Sequence, residues 1–219
     1  MNSVFRNNLF LAALISLILF AGFFMFQKDF FSNSVIVSEN ISNNIYEEPL
    51  ENLNIKLDIK NCGDSLGSFN GITAFYNDGF STCDNSGRHQ NQDGYVYGKK
   101  WQCVEYVRRY YKDALNHEMP EYWGHATDYF RVNIPSGSIN TERDLIQYQN
   151  ESIRPKVNDL LVFQNMAGGL GHVSIVTNVT DSTVSTIAQN IGKNCIDVLS
   201  LDRNEIGGGC SGFLRLVIF

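Results

Sequence analysis

The longest uninterrupted apolar run is Leu9–Phe26, LFLAALISLILFAGFFMF, eighteen residues without a charge. As a helix at about 1.5 Å per residue it approaches the ~30 Å hydrocarbon thickness of a bilayer. It is apolar on every side and has no polar face for water, which predicts a transmembrane segment rather than a buried core helix. Arg6 precedes the run and Lys28 beside Asp29 follows it, a weak asymmetry compatible with a cytoplasmic N-terminus and export of the rest. A cleavable secretory signal is the alternative, although GFFMFQKDFF offers no small-x-small cleavage site. Residues 1–31 are therefore assigned to an N-terminal signal anchor. From 32 to 54 the chain turns to Asn, Ser and Glu without a sustained apolar period, the pattern of a linker. What remains, 55–219, has the length of a single domain.

Within that domain the period switches from helical to strand-like. Val104, Val107, Tyr111 and Ala114 recur at helical spacing in WQCVEYVRRYYKDAL and mark one buried face of a helix that begins near Gln102. Downstream, NDLLVF (158–163) reads as a buried strand, HVSIVTNV (172–179) and TVSTIAQN (183–190) as adjacent hairpin strands, and SGFLRLVIF (211–219) as a further strand. One helix packed on an antiparallel sheet is an α+β arrangement.

Composition narrows the function classes. With 43% hydrophobic and 18% charged residues the chain can bury a sizeable core. A net charge of −6 leaves no global electrostatic case for nucleic acid, which is recognised by a basic excess or stripe.

Cysteine number then changes the picture. Five cysteines, Cys62, Cys83, Cys103, Cys195 and Cys210, are an odd number for a domain exported to a compartment where disulfides persist. Cys62 with Cys83 and Cys195 with Cys210 are the nearest pairings, each across a loop-like stretch, and closing such a loop stabilises by ~3 kcal/mol in the chain-entropy model. Buried free thiols are the alternative. No pair has the C-x-x-C spacing of a zinc or thioredoxin-type site, so no metal site is expected.

Cys103 is left over, and it opens the helix. A thiol in the first turn meets unpaired amide donors and the positive dipole end, which lower its pKa. Of the four histidines, His89 and His117 lie in polar stretches and read as solvated, and His125 as structural or substrate-side. His172 follows MAGGLG and opens a strand, which puts an imidazole at the rim of a sheet. The neighbouring strand brings Gln189 or Asn190 near it, where a hydrogen bond would orient the ring as the third group of a triad does. Gln102, Tyr97 and the Cys103 amide are candidates for contacts near an oxyanion. Packing is the competing role for Tyr97, and a plain first-turn position for Gln102.

GYVYGKKWQCVEYVRRYY, followed in order by P-x-x-N-D-L-L-V-F, G-G-L-G-H-V-S-I-V-T and I-A-Q-N, resembles the CHAP family of cysteine- and histidine-dependent amidohydrolases/peptidases. Within it the G-x-K-W-Q-C-V-E block is most similar to the amidase domain of glutathionylspermidine synthetase/amidase. The resemblance implies a papain-like fold, Cys103 as nucleophile, His172 as general base and acid, and no cofactor. One position departs: the family's acidic residue two before the Asn is Ala188 here. Asn190 is then the first candidate to orient His172, with Gln189 the second.

Export would bring the domain to peptidoglycan peptides, so a membrane-anchored cell-wall amidase or endopeptidase in the extracytoplasmic space is the leading expectation, with a secreted form as the alternative. A glutathionylspermidine-type amidase and a non-catalytic wall-binding module are its rivals.

Overall fold

A computed structural model describes residues 61–77, 88–120 and 123–217, all within the compact unit Lys56–Phe219. The expected membrane segment, the linker and Cys83 lie outside the described residues. Among the described residues no helix is long and apolar enough to cross a membrane.

One helix, α1 (Cys103–Leu115), lies against a mixed-length antiparallel sheet. Two small hairpins precede the sheet: β1 (Ser65–Phe69) with β2 (Ile72–Phe75), and β3 (Arg88–Gln90) with β4 (Val96–Lys99). The sheet itself comprises β5 (Ser138–Asn140), β6 (Leu145–Gln149), β7 (Leu160–Phe163), β8 (His172–Val179), β9 (Thr183–Ile187), β10 (Ile196–Asp202), β11 (Glu205–Ile206) and β12 (Gly212–Arg215). Their spatial order is β11-β10-β9-β8-β7-β12-β6-β5, so the last strand inserts between β6 and β7. This is the α+β arrangement expected.

Alternation along the central strands builds a core on each face of the sheet. Leu160, Val162, Val173, Ile175, Ile187 and Leu214 meet Tyr106, Val107, Tyr110 and Tyr111 of α1. Leu161, Phe163, Val176, Val184, Leu201 and Phe213 form the second core on the opposite face. Strand β7 is buried on both faces, which explains its unbroken LLVF. Burying each such side chain contributes roughly 1.5–3 kcal/mol. The buried tyrosine hydroxyls of α1 that meet the sheet are paired: Tyr110 Oη donates to Asn158 Oδ1 at 2.7 Å and Tyr111 Oη to the Asn158 carbonyl at 2.9 Å.

The helix is covered on more than the one face its apolar period marks. Besides β8 it touches β2 and β4, and Glu105, Arg108 and Arg109 are buried beneath them. Glu105 accepts from Arg109 Nε at 2.7 Å and contacts His89 Nδ1 at 2.7 Å, while Arg109 also donates to the Thr73 carbonyl at 2.9 Å. Breaking one partner of such a buried pair costs about 3–5 kcal/mol, because it strands the other charge.

The expected Cys195–Cys210 bridge is not formed. Both are free and buried, and they belong to different cores: Cys195 to the α1 face and Cys210 to the far face. Cys195 fills the space beneath β1, where a Cβ on Gly67 would stand 2.9 Å from its sulfur. Cys210 donates to the Gly212 carbonyl at 3.4 Å. Burial pushes both thiols up, Cys210 to about 12, so they are unreactive core residues. Cys62 is disulfide-bonded, and its expected partner Cys83 lies outside the described residues.

Candidate active site

Gln102 is extended (φ −81°, ψ 158°) and caps α1, which makes Cys103 its first helical residue. Cys103 is 7% exposed, and its sulfur lies within reach of three backbone N–H groups, those of Val173, Val104 and Cys103 itself. Burial nevertheless dominates and pushes the thiol up to about 11, with the amides pulling it partway back. The lowered pKa expected from the helix start alone is therefore overturned by desolvation.

His172 begins β8, opposite Phe163, one residue before the Val173 amide that approaches the sulfur. One strand end thus supplies both a backbone donor and an imidazole. Its position depends on Gly171: at φ +78° this residue passes so close to the turn Ala126–Tyr129 that a Cβ would lie 2.5 Å from the Thr127 nitrogen. Thr127 N–H in turn donates to the Leu170 carbonyl at 3.0 Å. The ring is 8% exposed, and burial lowers its pKa to about 4, with the Asp197 carboxylate acting in the opposite direction.

Cys103, His172, Gln102 and Asn190 line one cavity of about 660 Å³. Asn190, in the left-handed region at φ 62°, follows the end of β9, which stops at Ile187 rather than running on to 190. Its Nδ2 donates to Gln102 Oε1 at 2.9 Å, so the residue expected to orient His172 holds Gln102 instead. That bond engages Gln102 Oε1 and leaves the Nε2 amide without a partner among the described residues.

Two further candidates lie elsewhere. Gln189 is fully buried; its Nε2 donates to the Gln102 carbonyl at 3.2 Å and to Glu105 Oε2 at 2.7 Å. Its Oε1 accepts from Phe75 N–H at 2.9 Å and Arg109 at 3.0 Å. All its hydrogen-bonding capacity is used on the α1 face, leaving none for His172 or an oxyanion. Tyr97 is 4% exposed and donates to Asp113 at 2.8 Å, a structural bond. Of the remaining histidines, His117 is buried against the Arg143 carbonyl at 2.9 Å and His89 pairs with Glu105, so neither is solvated as expected. His125 is exposed and lines the cavity.

Features the sequence reading missed surround this core. Arg88, Lys99 and the half-exposed Trp123 line the cavity, whose described lining contains no carboxylate. Their signal is faint, since β3 and β4 are short, polar strands. A second cavity of about 330 Å³ is lined by His172, Ser174, Ala188 and Asp197 among others.

No curated protein matches the chain. The family model of the CHAP domain matches residues 92–190, a span that begins in the turn of the β3–β4 hairpin, contains α1 and β7–β9, and ends on Asn190. Cys103 and His172 both fall inside that span and line one cavity, so residues 92–190 are identified as a CHAP domain.

Proposed function

We propose that this domain hydrolyses amide bonds in peptidoglycan peptides through a Cys103 thioester. CHAP membership indicates a cysteine- and histidine-dependent amidohydrolase or peptidase. The observation that supports the residue roles is the shared cavity in which Cys103, His172 and Gln102 meet.

With the thiol pushed up to about 11 and the imidazole down to about 4, the resting pair at neutral pH is uncharged. His172 therefore takes the thiol proton as the sulfur attacks the carbonyl carbon, rather than waiting beside a preformed thiolate. The C–S bond forms, and the carbonyl oxygen becomes an oxyanion facing the Cys103 N–H and Gln102 Nε2. Collapse breaks the C–N bond as imidazolium returns the proton to the departing amine. Water, deprotonated by His172, then cleaves the thioester and releases the acid. Asn190 serves this sequence by fixing the Gln102 amide.

Charge favours a peptide acid over a polyamine conjugate. Arg88, Lys99 and His125 line the cavity, and its described lining contains no carboxylate, which suits the free carboxylates of stem peptides and disfavours a spermidine tail. The apolar Leu9–Phe26 run supports an anchored domain outside the cytoplasm, where that polymer lies.

The test is mass spectrometry of products after purified full-length protein, or its Cys103→Ala variant, acts on peptidoglycan and on glutathionylspermidine. New stem-peptide or crossbridge ends that require Cys103 are expected. Release of spermidine alone would transfer the enzyme to the polyamine-conjugate class, and equal turnover by Cys103→Ala would end the assignment.

A further inference from the structure

His172 lines two cavities, only one of which it shares with the nucleophile. The other, of about 330 Å³, is lined by His172, Ser174, Thr186, Ala188, Asn194 and Asp197 among others. Strand register explains this grouping. Thr186 pairs with Val176 of β8 on one side and with Asp197 of β10 on the other. Residues paired across antiparallel strands share a face, and alternation puts His172 and Ser174 on the face of Val176. Hence His172, Ser174, Thr186 and Asp197 all project from the side of the sheet away from α1. Ala188, held by its N–H to the Cys195 carbonyl at 2.9 Å, contributes only a methyl group, which leaves the gap between the strands open.

Two observations mark this gap as more than a packing flaw. The Ser174 hydroxyl is buried, lines the gap, and has no hydrogen-bond partner among the described residues; such orphaned groups are rare in cores. Asp197 is the one carboxylate in its described lining. Its Oδ1 accepts the Val198 N–H at 2.8 Å, which pins the side chain at the rim.

We propose that Asp197, reaching in from β10, is the charge partner that stabilises the His172 imidazolium as it forms, with the Ser174 hydroxyl completing the polar bridge across the gap. The proposal rests on His172 acting as the base. Asp197 is a positioning residue, since it acts on the reaction through His172 and does not face the reacting atoms. It does the work that the resemblance assigns to an acid at position 188, from a strand further along the sheet. The electrostatic influence of Asp197 on the ring agrees in sign, raising its proton affinity against burial. Among the described residues, the other ionisable groups of the two cavities that His172 lines are the Cys103 thiol of α1, Arg88 and Lys99 of the β3–β4 hairpin, and His125. None of these is an anion at neutral pH, so Asp197 supplies the negative charge.

The experiment follows the His172 ring by NMR through a pH titration of full-length protein, alongside pH–rate profiles, for wild type, Asp197→Asn, Asp197→Glu and Ser174→Ala. Asp197 is exposed, so these substitutions at 197 leave the fold intact. Asp197→Asn is expected to lower the His172 titration midpoint by about half a unit or more, to move the acid limb of the rate profile the same way, and to reduce kcat about 10- to 100-fold with KM little changed. Asp197→Glu restores most of both, and Ser174→Ala gives a smaller loss of kcat. An unmoved His172 midpoint in Asp197→Asn overturns the proposal whatever the activity does. Should the wild type cleave no amide substrate, the proposed function fails, while the NMR titration still decides whether Asp197 and His172 are coupled.

Discussion

The two cavities flanking His172 differ in sign. The front one joins the nucleophile to Arg88, Lys99 and His125 and has no carboxylate in its described lining; the rear one has Asp197 and a serine that has no partner among the described residues. A buried imidazole between them can be neutral toward the thiol at rest and still meet a negative charge when it becomes a cation. On the proposed roles, attraction of substrate and stabilisation of the catalytic proton are assigned to the two different cavities that His172 lines. Placing both charges in the same cleft would have them neutralise each other.

The largest way to break this comparison is to remove the ring. His172→Gln is expected to reduce kcat/KM by at least about 10³-fold, measured as product formation from peptidoglycan, since both proton transfers are lost. The same variant has a stability signature. His172 titrates at about 4 folded against an ordinary 6.5, so the unfolded state binds the proton more readily between those values. Stability is full above pH 6.5 and falls by about 3 kcal/mol as pH drops toward 4. Denaturant midpoints across that window should lose most of their slope in His172→Gln; an unchanged slope would show that the imidazole is not buried neutral.

Next in size is the oxyanion side of the front cavity. Gln102→Ala should lower kcat by about 10²- to 10³-fold, corresponding to roughly 2.7–4 kcal/mol, with KM nearly unchanged. Asn190→Ala removes only the bond that fixes Gln102 Oε1, and a loss of about tenfold is expected. If Asn190→Ala cost more than Gln102→Ala, or moved the His172 titration, Asn190 would be acting on the imidazole after all.

How far these pieces were legible follows from what holds each in place. α1 and β7–β9 announce themselves because their side chains are apolar at a clear period; His172–Val179 and the start at Cys103 match the expected bounds. The β1–β4 hairpins carry no such signal. RHQ of β3 is held by pairing with β4 and by His89 meeting a buried Glu105, a contact sixteen residues apart. Gln189 and Tyr97 looked functional by nearness along the chain, yet one is spent on Glu105 and Arg109 and the other on Asp113. Asp197 was invisible because only the order β8-β9-β10 brings it beside a histidine twenty-five residues earlier. Helix charge alone predicted a lowered Cys103 pKa, and burial reversed it.

The smallest expected effect tests the sign of the front cavity. Lys99 is exposed at the end of β4 and lines the cleft, so its charge acts on substrate through solvent and is worth about 0.2–1 kcal/mol. Lys99→Gln should raise KM by roughly 1.5- to 5-fold for a substrate bearing a free carboxylate, leave kcat unchanged, and lose its effect as ionic strength shortens the screening length. The amidated form of the same substrate should bind wild type and variant alike. A KM increase that persists with the amidated substrate would mean that Lys99 contributes packing rather than charge, and the front cavity would then owe its preference to Arg88 and the wall formed by Trp123.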